Sequence, residues 1–72
     1  MLIINQLRTV LISLEIIVGI DIEEQMVVAH SNTDTFTLGL GKYETEERTK
    51  EVFQEIVQAY KENKRCYYMP EK

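Results

Sequence analysis

Nucleophilic or acid–base chemistry in this chain would have to be assembled from His30, Cys66 and the hydroxyls of Ser13 and Ser31. A nucleophile needs a base within hydrogen-bond reach and a third group to orient that base. No spacing in the sequence supplies such a set. His30 is the single histidine, placed between Ala29 and Ser31 near the end of an alternating run. There it reads as a structural or solvent-facing imidazole rather than a general base or a ligand. Cys66 is the single cysteine, so no intrachain disulfide can form, and one Cys with one His falls short of a four-ligand zinc cluster. It reads as a small buried hydrophobe, a usage that fits a reducing compartment. No catalytic residue, metal ligand or cofactor follows from these residues, and the chain is not expected to be an enzyme.

A glycine-rich stretch, Gly39, Leu40, Gly41 and Lys42, lies just before a helical pattern. Such backbone can cradle an anion against free N–H groups. The spacing matches neither a P-loop nor a dinucleotide fingerprint, and the preferred reading is that these glycines let a strand exit into a helix or avoid a clash with a close neighbour. If a small anionic ligand or nucleotide does bind at the junction, its contacts are Gly41, Lys42, Tyr43 and Arg48. Glu44, Glu46, Glu47, Glu51 and Glu55 gather nearby, but Arg48 and Lys50 interrupt them. Glu46 and Lys50 stand one helical turn apart as a favourable pair, so this is read as a solvated helix face.

The elements that must carry these residues belong to a chain of 72 residues. That is one domain, 1–72, because a chain of this size hides only about 60% of its unfolded surface. Its core supplies only about 3–5 kcal/mol, which makes oligomerisation a natural reinforcement. Twelve acidic against eight basic side chains give a net charge of −4, which opposes attraction to a phosphate backbone and argues against nucleic acid as a partner. The most apolar run, residues 10–20, is interrupted by Glu15 and falls short of the ~20 residues that span a bilayer. Arg8 is the sole basic residue before it, and no small-residue cleavage site follows. A cytoplasmic protein without a membrane segment is expected.

Periodicity changes once, near residue 44. Before it the period is two: Ile16, Val18, Ile20 and Ile22 alternate with Ile17, Gly19, Asp21 and Glu23, as in a half-buried strand. Met26, Val28 and His30 alternate with Val27 and Ala29, and Phe36, Leu38 and Leu40 with Thr35, Thr37 and Gly39. Polar clusters at 21–25 and 31–34 separate these three strands, and connections this short favour antiparallel neighbours. Residues 2–4 and 9–14 are also rich in β-branched residues, with a bend over 5–8, which leaves open whether they form one strand or two. After Thr45 the spacing is helical: Val52, Phe53, Ile56, Val57 and Tyr60 form one apolar stripe. Thr45 is the N-cap, Glu46 and Glu47 complement the positive end of the dipole, Lys61, Lys64 and Arg65 the negative end, and Asn63 ends the helix in a left-handed conformation. The pattern predicts a helix over about 45–63 and a short strand at 65–69, stopped by Pro70. The fold class is therefore α+β: an antiparallel meander of four to five strands, with one amphipathic helix on one face and a short C-terminal strand.

One helix covers one face of a sheet. Ile17, Val27 and Ala29 fall opposite the heavier apolar set, with Tyr67 as a neighbour, and together they form the candidate interaction face.

Leu40, Gly41, Tyr43, Thr45, Glu47, Arg48, Glu51, Val52, Glu55, Ile56, Ala59 and Tyr60, then Tyr68, Met69 and Pro70, together with the opening Ile4, Asn5 and Gln6, carry a resemblance. In these residues the chain resembles a group of small uncharacterised proteins of phages and integrated elements of Gram-positive bacteria, over roughly half its length, with Thr49 where alanine is expected. The resemblance implies no activity, cofactor or catalytic residue. It implies a context in which small accessory proteins bind and modulate a host or phage protein. Taken with the apolar face, it leads to the expectation of a homo-oligomeric accessory protein acting by protein–protein interaction.

Overall fold

The computed structural model describes residues 1–31 and 37–72. Among these the elements run β1 (Leu2–Ile4), β2 (Leu11–Ser13), a 3-10 turn (Leu14–Ile16), β3 (Ile17–Glu23), β4 (Met26–Ser31), β5 (Thr37–Lys42), α1 (Glu46–Lys61) and β6 (Cys66–Tyr68). The polar connection read at 31–34 and the strand positions Thr35 and Phe36 lie, Ser31 apart, outside the described residues. The α+β class and the helix-covered antiparallel meander agree with the sequence. The extent of the meander does not: it is three strands, β3-β4-β5, and the remaining strands form a separate sheet in the order β2-β1-β6. In that sheet β1 runs antiparallel to β2 and parallel to β6. A parallel pair requires a long crossover, and here nearly the whole chain is the crossover.

The N-terminal segment is two strands because its bend is specified by side chains. Asn5 is buried, and its Oδ1 accepts from the backbone N–H groups of Thr9 and Val10 at 2.8 Å each. Arg8 takes a left-handed φ of 62° and donates its N–H back to the Asn5 carbonyl. The loop is then fastened to both neighbours. The Arg8 guanidinium donates to the Met69 carbonyl at 2.6 Å. Gln6 exchanges side-chain hydrogen bonds with both backbone groups of Lys42 and donates its own N–H to the Leu40 carbonyl. Gln6 thus stitches the end of β1 to β5 and joins the two sheets.

The helix begins and ends where its caps dictate. The Thr45 hydroxyl accepts from the Arg48 N–H at 3.0 Å. At the other end Asn63 is left-handed, with φ 58°, while Lys64 N–H donates to the Ala59 carbonyl and Asn63 N–H to that of Tyr60, the pair of bonds that closes a Schellman motif. The buried stripe is Thr49, Val52, Ile56 and Ala59. Tyr60, read as part of the stripe, is instead exposed, because Ala59 takes the inward position one residue earlier. Thr49 reaches full burial by returning its hydroxyl to the Thr45 carbonyl at 2.9 Å.

The helix lies across β3 and β4, over a core that draws on both sheets: Ile3 and Ile12 from one, Val27, Ala29 and Leu40 from the other, Val52 and Ile56 from the helix, with Tyr43 and Met69. Register decides which face of the meander is covered. Val27 pairs with Ile22 and Ala29 with Ile20, and directly paired residues share a face. The ladder between β3 and β4 is also irregular between Ile17 and Gly19, and this bulge returns Ile17 to the inner face.

Candidate interaction surface

The face proposed from sequence is therefore corrected. Val27 and Ala29 are each 0% exposed, and Ile17 and Tyr67 pack against the core cluster. The expected alternation holds in β3 from Gly19 to Glu23 and breaks at the bulge, where Ile17 turns inward and Val18 is left exposed; the relative phase of β3 and β4 expected from sequence is also one residue out, which inverts a face. Tyr67 is further committed, since its hydroxyl donates to Glu55 Oε1 at 2.7 Å. Burial, followed by that hydrogen bond to a carboxylate, raises its pKa above the ordinary tyrosine value.

An uncovered apolar face does exist, on the other sheet. Ile4 pairs with Leu11 on one side and Tyr68 on the other, while Leu2 pairs with Ser13 and Cys66. Ile3, paired with Ile12 and Tyr67, points into the core. The period of two then places Leu2, Ile4, Leu11, Tyr68 and Cys66 together on the outer face. Leu11 is 57% exposed and Tyr68 59%. Leu7, at the tip of the β1–β2 loop, is 77% exposed. The Arg8 guanidinium lies 5.3 Å from the centre of the Tyr68 ring, which fixes that ring by a cation–π contact and leaves its other side to solvent. Sequence reasoning missed this set because its alternation is only three residues long in each strand and the β1–β6 pairing spans the chain. The signal was Leu2 and Ile4 about Ile3, and Leu11 beside Ile12. A second apolar rim, Val18 and Tyr60 with Leu14 and Ile17, borders a shallow hollow of about 320 Å³.

The residues named as anion contacts are not assembled into an anion site. A side chain at Gly41 would meet the Tyr43 hydroxyl at 2.7 Å, so the glycine accommodates that ring. Tyr43 itself is buried and donates to the Pro70 carbonyl at 2.9 Å; burial raises its pKa. The backbone N–H groups of Lys42 and Tyr43 go to Gln6 Oε1 and to the Gln25 carbonyl. Arg48 is held by Glu51 and Glu55 at 3.3 Å each and donates to the Lys72 carbonyl. Its charge is thus matched within the chain.

On the outer face of the meander, Asp21, Glu23 and His30 converge. His30 Nε2 stands 3.0 Å from Asp21 Oδ1 and 3.6 Å from Glu23 Oε2, and the three donor atoms all lie within 4.8 Å of one another. Asp21 and Glu23 are i and i+2 on β3; His30 comes from β4, one step diagonal to Asp21 across the hairpin. His30 was read as structural or solvent-facing, and it is half-buried within this cluster. Among the described residues no catalytic set of nucleophile, base and orienting group accompanies it, and no helix is long and apolar enough to cross a membrane.

No protein-family model matches the chain, and no curated protein or solved structure matches it either.

Proposed function

We propose that this chain acts by protein–protein association, pairing with a second copy of itself through the outer face of β2-β1-β6. The observation that carries the reading is the cross-strand row of Leu11, Ile4 and Tyr68, with Leu11 and Tyr68 largely exposed at its two ends. An apolar sheet face rimmed by polar groups is costly to leave in water, and contiguous exposed patches of this kind mark contact surfaces. The same face meeting its own copy about a two-fold axis gives a closed dimer and adds core to a chain too small to build much alone. The resemblance to small accessory proteins of phages and integrated elements favours the same class of role, with the dimer binding and modulating a host or phage protein. Size-exclusion chromatography with light scattering over a hundredfold concentration range tests the association. A dimer is expected at the upper end, and Leu11→Glu, an exposed position whose charge would be stranded in the contact, shifts the chain to monomer at the same concentrations. A monomer throughout for the unaltered chain overturns the proposal.

A further inference from the structure

The geometry points to a divalent transition-metal site on the outer face of the meander, with Asp21, Glu23 and His30 as its ligands and Zn²⁺ as the ion class it fits. Zinc bonds of about 2.0–2.2 Å to nitrogen and oxygen set neighbouring ligands roughly 3.3 Å apart at the corners of a tetrahedron. His30 Nε2 meets its two carboxylate neighbours at 3.0 and 3.6 Å, either side of that edge, and all three donors already lie within 4.8 Å of one another.

Three features separate this group from scattered surface charge. Its ligands stand on two hydrogen-bonded strands, so the sheet fixes their relative positions before any ion arrives. Val28, paired directly with Asp21 on this outer face, is only 6% exposed, so a packed apolar side chain flanks the group while the two carboxylates stay accessible to an arriving ion. Open space surrounds the Gly19 position opposite His30, which leaves that side of the group accessible to an ion. The ligand types choose the ion. One imidazole with two carboxylates suits zinc and its first-row neighbours, whereas magnesium and calcium prefer oxygen donors alone. Two carboxylates balance the dication, and the fourth position is left open for water or for a donor from a bound molecule.

Isothermal titration of the full chain with ZnCl₂, in parallel with nitrogen-15 spectra of the imidazole, tests the site. One ion per chain is expected to bind saturably, with the His30 Nε2 resonance moving on binding, and His30→Ala and Asp21→Asn each weakening affinity at least tenfold while far-ultraviolet circular dichroism stays unchanged. Cys66→Ser, on the outer face of the other sheet, leaves affinity unaltered. Absence of saturable binding at millimolar Zn²⁺, affinity that survives His30→Ala, or affinity lost in Cys66→Ser overturns the assignment. Since the ligands lie on the other sheet from the association face, the result is independent of the oligomeric state.

Discussion

Single side chains set the ends and bends of this fold, and their effects are separately measurable. Glu15 is the clearest electrostatic case. Its carboxylate accepts from the Ser13 hydroxyl and lies 2.9 Å from the Met1 ammonium, and these contacts, the hydroxyl first, lower its pKa from 4.5 to about 2. A folded-state pKa below the unfolded one contributes stability that is fully present above about 4.5 and is lost as pH falls toward about 2. Carboxyl carbon-13 titration should therefore show Glu15 titrating near 2, and Ser13→Ala should move it up toward 4.5; an ordinary value in the unaltered chain would contradict the contact. Asn5 is the clearest hydrogen-bonding case. Asn5→Ala strips the acceptor from two backbone N–H groups in the loop and should cost about 1–3 kcal/mol in denaturant unfolding; a change within a few tenths would show that the loop holds without it. At this scale the sequence was a good guide where one residue acts on its own neighbours, as Thr45 and Asn63 do at the helix ends. Asn5 was legible only as part of a bend, because its contacts depend on the loop closing.

Elements follow the same logic with a sharper limit. The boundaries of β3, β4 and α1 are within a residue or two of the alternation and the helical stripe, since each pattern is carried by its own segment. What the pattern does not contain is phase between segments. The bulge at Ile17 and Gly19 and the pairing of Val27 with Ile22 are properties of two strands at once, and missing them turned buried residues into a supposed contact face. The parallel pairing of β1 with β6 was hidden for the same reason. The glycines of β5 show how neighbours give meaning to a residue type. A methyl at Gly41 would come within 2.7–3.1 Å of the buried Tyr43 ring, whereas one at Gly39 meets the flexible Met26 side chain, its sulfur at 2.7 Å. Gly41→Ala is therefore expected to lose about 1–3 kcal/mol by overpacking, and Gly39→Ala clearly less, as read by thermal or denaturant midpoints. Equal losses would mean that the Tyr43 ring moves as freely as Met26.

For the whole molecule, two sheets share one core and leave two outer faces of opposite character. The outer face of β3-β4-β5 gathers Asp21, Glu23 and His30; that of β2-β1-β6 gathers Leu2, Leu11 and Tyr68. This division follows from burial: the inner faces meet the helix and each other, and the outer ones are free to differ. The polar face is suited to an ion, the apolar one to another polypeptide. Association through the apolar face is the central claim, and isotope-filtered nuclear Overhauser spectroscopy on a mixture of labelled and unlabelled chain addresses it most directly. Intermolecular cross-peaks are expected from the methyls of Leu2 and Leu11 to the Tyr68 ring. A concentrated sample without intermolecular peaks, or one whose peaks fall at Val18 and Tyr60 instead, would contradict it.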